Sequence, residues 1–172
     1  MSENLSYILV ICGVGLLLGA ALHDLAIRTI PNWISVSLLV IGIVLRFYSG
    51  DLLVSLAIAM AILTVLVLLW LRGFMGGGDV KLIPTVSLVL APANVPAFIL
   101  SVAIAGGVLS VFYLTVHYAM PRPRPGPRYG LLARVLKAEA WRMHRRGPLP
   151  YGVAIAAGAL PIIAKSFSGW IG

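Results

Sequence analysis

From Leu52 to Leu71 the chain runs for 20 residues without a charged side chain, the length an α-helix needs to cross the hydrocarbon of a bilayer. No water is at hand there to pair with backbone N–H and C=O groups, so the segment has to satisfy them internally as a helix. The rest of the chain conforms to that reading. Hydrophobic residues make up 60% and charged ones only 10%, against about 25% charged in a soluble domain, and the mean hydropathy is +1.03. A length of 172 residues suits one membrane-embedded domain over 1–172, with no room for a separate soluble one. The single cysteine, Cys12, lies inside an apolar run, so neither a disulfide framework nor a thiolate zinc site is available.

Five further apolar segments complete an all-α, polytopic bundle of six expected spans. The first is Leu5 to Leu22, kept as a permanent helix because Met1 to Ser6 carries Glu3 and no positive charge of the kind that opens a signal peptide. A polar connection, His23 to Asn32, follows. Pro31 disfavours helix at Ile30, and Asn32 is a good N-cap for a second span from Trp33 to about Tyr48, with Arg46 snorkelling to the far interface. Gly50-Asp51 makes a turn into the third span, Leu52 to Leu71. The fourth helix is expected from about Asp79 to Ala91, roughly 20 Å at 1.5 Å per residue, and the break after it comes from Pro92 and Pro96. Ala97 to Tyr118 is the fifth span and Tyr151 to about Phe167 the sixth. Between them, at about 121–149, lies a basic loop. It opens with the extended Pro-Arg run 121–128 and continues with Leu131, Leu132, Val135 and Leu136 at the spacing of an amphipathic surface helix.

Charge sets the orientation. Eleven of the 13 Lys and Arg residues fall in the connections after spans one, three and five, with Arg46 and Lys165 opposite. The positive-inside rule puts those connections in the cytoplasm and both termini outside it. The net charge of +8 is concentrated in the loop beside the membrane, where anionic lipid is the expected partner and nucleic acid is not.

Two acids stand at span ends on that same cytoplasmic side: Asp24, after the first apolar run, and Asp79, after the glycine run Gly76-Gly77-Gly78. A charge at the centre of a bilayer costs about 3 kcal/mol on insertion scales, so acids kept at the edge of hydrocarbon call for a reason. Two carboxylates that meet in a small, partly dry site cannot comfortably both ionise; the pair holds one proton. The ionised member can then deprotonate a water while the protonated one polarises a peptide carbonyl. Glycines 76–78 would let the loop adopt φ > 0 and let a substrate backbone come close, and Lys81 could bias the pair or contact substrate or lipid. Structural alternatives stand beside each residue: Asp79 as a plain helix N-cap and Asp24 as an i,i+4 partner of Arg28. His23, His117 and His144 show no ligand partners and no metal-binding spacing is present, so neither metal nor cofactor is expected.

The same residues resemble a family. Gly76-x-Gly78-Asp79 is similar to the GxGD signature of intramembrane-type aspartic proteases, and Gly78-Asp79-x-Lys81-Leu82 narrows the resemblance to the type IV prepilin peptidases. Asp24 followed by Ile30-Pro31-Asn32 looks like their first catalytic motif, and Pro150-Tyr151-Gly152 resembles a pattern in their last span. The likeness runs from Leu16 to Leu160, and the short chain most resembles the small enzymes of tight-adherence pilus systems. It implies an aspartic endopeptidase of the bacterial inner membrane with Asp24 and Asp79 as the catalytic pair and Gly76, Gly77, Gly78, Lys81, Pro31 and Asn32 shaping the site. The implied substrate is a prepilin or pilin-like precursor with one apolar span, cut after its short basic leader. Larger members add a zinc-binding domain and N-methylation; without that domain or its cysteines, peptidase activity alone is expected. Two other readings keep the acids: a GxGD protease with different membrane substrates, and a small transporter moving protons or cations. The Ile30-Pro31-Asn32 and Lys81 matches speak against the former. The absence of an inverted repeat, with acids on one face only, speaks against the latter. A purely structural membrane protein is the remaining option.

Overall fold

A computed structural model describes residues 3–119 and 149–171 of the chain, and the regular structure among them is helical throughout. The uncharged run forms α3, Leu52–Leu71, with the expected bounds. Just past it Gly73 takes a left-handed φ of 76° and donates its N–H to the Trp70 carbonyl at 2.9 Å, a helix-ending geometry that a Cβ would strain. The other elements are α1 (Glu3–Ile27), α2 (Asn32–Ser49), α4 (Gly77–Val89), a 3₁₀ turn (Pro92–Asn94), α5 (Val95–Ala119) and α6 (Tyr151–Ile171). Helices α1, α2, α3 and the stretch Pro92–Val116 are long and apolar enough to cross a membrane, and they mark the chain as a membrane protein. Helix α4 has 13 residues, and the apolar stretch of α6, Tyr151–Ser166, is also shorter than those four. The expected basic loop and its surface helix at 131–136 lie outside the described residues.

Helix α4 is the axis of the fold. It packs against α2, α3 and α6, while α6 also packs against α1 and α5. Ten of its 13 residues are buried, and that enclosure explains its length, because a helix sheathed by protein need not match the bilayer. Pro84 removes one N–H from its interior. Nearby, Thr85 donates its hydroxyl towards the Lys81 and Leu82 carbonyls at 3.1 and 2.9 Å, and Ser87 donates to Pro84 O at 2.7 Å. Buried hydroxyls are thus satisfied by the helix's own backbone. Helix α2 comes close enough that a Cβ on Gly42 would lie 2.7 Å from Leu88 Cβ.

Three expectations are corrected. Asp24 is not in the connection after α1 but in its last turn: Leu25, Ala26 and Ile27 continue the helix, and the Arg28 N–H closes back on Asp24 O at 2.8 Å. The polar connection shrinks to 28–31. Gly77 and Gly78 are helical and Gly76 has φ −73°, so the glycines do not supply a left-handed loop; among the described residues positive φ falls at Arg28, Gly50 and Gly73. Asn32 does not cap α2. Pro31 holds the cap position in an extended conformation, and Asn32 opens the helix with its side chain engaged elsewhere. At the far end of α2, Arg46 pairs with Asp51 in a salt bridge of 3.0 Å.

Candidate active site

The end of α1 and the start of α4 bring the two acids into one cleft of about 780 Å³. Asp24 lies four residues before Arg28, whose φ of 63° ends the helix in a conformation that costs a non-glycine residue about 1–2 kcal/mol. Two side-chain contacts hold that turn: the His23 ring pairs through Nδ1 with the Thr29 carbonyl at 2.6 Å, and Arg28 donates to the Tyr113 hydroxyl of α5 at 3.1 Å while lying over its ring. Asp79 is the third residue of α4. The cap position belongs to Gly76 and no side chain caps the helix, so the plain N-cap reading of Asp79 does not describe it.

Both carboxyls are buried, at 6% and 8% exposure for Asp24 and Asp79. Both line the same cleft, and two carboxyls in one partly dry site cannot comfortably both ionise. Gly152, at the start of α6, donates its N–H to Asp24 Oδ2 at 2.8 Å. Beneath Asp79, a Cβ on Gly76 would stand 3.1 Å from its Oδ2, and one on Gly78 would stand 3.2 Å from Ile30 Cβ. The glycines matter for close approach, between the connection 28–31 and the first turn of α4, rather than for an unusual backbone.

Of the other residues expected here, Lys81 donates to Asn32 Oδ1 at 3.0 Å, a clasp between α4 and α2 on the exposed rim. Both line the cleft with Gly76, Gly77 and Gly78. Pro31 sets the turn into α2 without lining the cleft. Arg28 and Tyr151 are among the lining residues not expected there, and next to the latter the Gly152 amide reaches Asp24. The tripeptide Pro150-Tyr151-Gly152 was the only signal for the last two, and a backbone N–H has no residue code of its own. Among the described residues no group of three or more His, Cys, Asp or Glu side chains forms a cation site. The cleft offers a pair of carboxyls to a water and a polar substrate, with the Arg28 cation in its wall and the buried Gly152 amide on one carboxyl.

Residues 11–111 match the model of a family described as the type IV leader peptidase family. That span includes both acids, the whole of α4 and α1 from Ile11 onwards. No curated protein and no solved structure matches the chain.

Proposed function

The chain belongs to the type IV leader peptidase family, which implies a peptidase, and from that premise we propose an aspartic endopeptidase that removes the short leader from prepilin or pilin-like precursors. The observation that carries the reading is the convergence of two buried carboxyls, from the ends of two helices 55 residues apart in sequence (24 to 79), on one cleft. Like charges gain nothing structurally by being brought together out of water. They gain a function if one proton is held between them.

In the proposed reaction the ionised carboxylate takes a proton from a water, whose oxygen attacks the carbonyl carbon of the scissile bond. The protonated carboxyl donates to the carbonyl oxygen as it becomes tetrahedral. Collapse breaks the C–N bond, a proton passes to the leaving amine, and the pair returns to its singly protonated state. No bond forms between enzyme and substrate. Pro31 sets the turn that brings Asn32 to the cleft, the Lys81–Asn32 clasp fixes α4 at the rim, and the bare backbone at Gly76–Gly78 lets Ile30 and the Asp79 carboxyl close on the first turn of α4.

The remaining features belong to the same proposal. The six described helices all span the membrane in a single domain, with α4 enclosed by its neighbours, and the positive-inside rule puts the cleft at the cytoplasmic face of the bacterial inner membrane with both termini outside. The basic loop faces anionic lipid. The substrate is a precursor with one apolar span, and precursors of tight-adherence pili are the first to assay.

The test replaces each acid by its amide. Asp24→Asn and Asp79→Asn should each lower leader removal by about a thousandfold or more while the purified protein still binds the precursor. Processing at near wild-type rates by either variant would remove the mechanism.

A further inference from the structure

We propose that Gly152 is a positioning residue for hydrolysis, its amide and its missing side chain together holding the Asp24 carboxylate in the working geometry. This rests on the reading of Asp24 and Asp79 as the catalytic pair and adds a third helix, α6, to the machinery.

Three consecutive amides open α6, in a first turn where N–H groups have no partner further back in the helix. The flanking two are used locally: Tyr151 N–H reaches Leu149 O at 2.9 Å, and Val153 N–H reaches Pro150 O at 3.1 Å. The middle one, on Gly152, donates to Asp24 Oδ2 at 2.8 Å across 128 residues of sequence. A carboxylate turns about two torsions, and an amide fixed in a helix end removes that freedom for one of its oxygens.

The absence of a side chain at 152 is demanded by Asp24 and not by the backbone. Among the described residues, Gly50 and Gly73 are the glycines with positive φ, so alanine would fit the conformation at 152 and favour the helix. A Cβ there would lie 2.9 Å from Asp24 Cβ and 3.0 Å from its Oδ2, and those atoms belong to a buried residue with little room to withdraw. Glycine is the residue that lets the amide reach the acid.

Helix α6 is in turn held at a fixed height by α5. The ring of Tyr151 rests on Gly106, where a Cβ would come within 3.2 Å of it, and Gly158 lies against Val102, where a Cβ would stand 2.7 Å from the backbone nitrogen. The Gly152 amide is thus carried by a helix whose position along its neighbour is set on both sides of that residue.

Two changes separate positioning from packing. Gly152→Ala should lower kcat for leader removal by about a hundredfold, the scale of a misplacement of about 1 Å, with KM within about threefold of wild type. An amide-to-ester exchange at Gly152 replaces the donated N–H by an oxygen and adds no side chain. It should lower kcat by about tenfold in protein that still unfolds cooperatively, at a somewhat lower temperature. The ester keeps the test decisive if the alanine variant does not fold. An ester variant with wild-type kcat would overturn the proposal, as would an alanine variant that lost stability alone. Should Asp24→Asn and Asp79→Asn be inactive while the ester is normal, only this inference fails; should those two variants be active, the functional reading fails first.

Discussion

At one end of α2 an acid meets a base, and past the other two acids line one cleft. Arg46 and Asp51 sit 3.0 Å apart, with side chains 11% and 30% exposed, beside a cavity of about 370 Å³ whose wall includes Arg46 and Asn94. Their charges cancel, and the pair holds the turn between α2 and α3. Past the other end of α2, Asp24 and Asp79 are more deeply buried and line one cleft. Charge cancellation is what a membrane protein does with an acid it needs for shape. Convergence of like charges is what it does with acids it needs for chemistry.

The difference can be broken or sharpened by substitution. The largest contrast is between the two kinds of acid: neutralising either member of the Asp24–Asp79 pair should lose processing about a thousandfold, as set out above, with the fold retained. Next comes Gly42→Ala, placed between the two ends. Its Cβ would lie 2.7 Å from Leu88 Cβ and 2.9 Å from the Leu88 carbonyl carbon, so α2 and α4 must separate. Overpacking of this kind costs about 1–3 kcal/mol, to be seen in thermal or denaturant unfolding, and kcat for the folded fraction should stay at the wild-type value.

A smaller effect is expected at the rim of the cleft. Lys81→Met removes the 3.0 Å bond to Asn32, and an exposed bond of this type contributes about 1 kcal/mol or less. Leader removal should fall by no more than about tenfold, and Lys81→Met combined with Asn32→Ala should be no slower than either alone if the clasp is all that the two residues supply. The smallest effect belongs to the acid–base end: Asp51→Asn should cost at most about 1 kcal/mol of stability and leave the processing rate unchanged. A processing defect there would erase the contrast between the two ends.

The sequence shows the helices far better than it shows their contacts. Leu52–Leu71 could be read to the residue, because an uncharged run of bilayer length between Asp51 and Arg72-Gly73 has one solution. Asp24 was legible as an unusual acid but misplaced, since helix continuation through Leu25, Ala26 and Ile27 depends on the Arg28 turn, which tertiary contacts with Tyr113 hold. Glycines 76–78 were legible as important, but loop freedom and close packing have the same sequence signature, and only the positions of Ile30 and the Asp79 carboxyl distinguish them. Asn32 has the composition of an N-cap and the role of a clasp because Lys81 comes within reach from 49 residues away. The Gly152 amide was legible only as part of the Pro150-Tyr151-Gly152 pattern, with no hint of what it bonds. It is a donor common to every residue but proline, and what singles it out is where α6 sits.

Whether the two acids work as one unit is tested most directly by a double-mutant cycle on leader removal by purified protein, comparing wild type, Asp24→Asn, Asp79→Asn and the double variant. A shared-proton pair predicts that each single variant loses about a thousandfold or more and that the double variant is no worse than either. Independent losses that multiply in the double variant, or a single variant that still processes at near the wild-type rate, would contradict it.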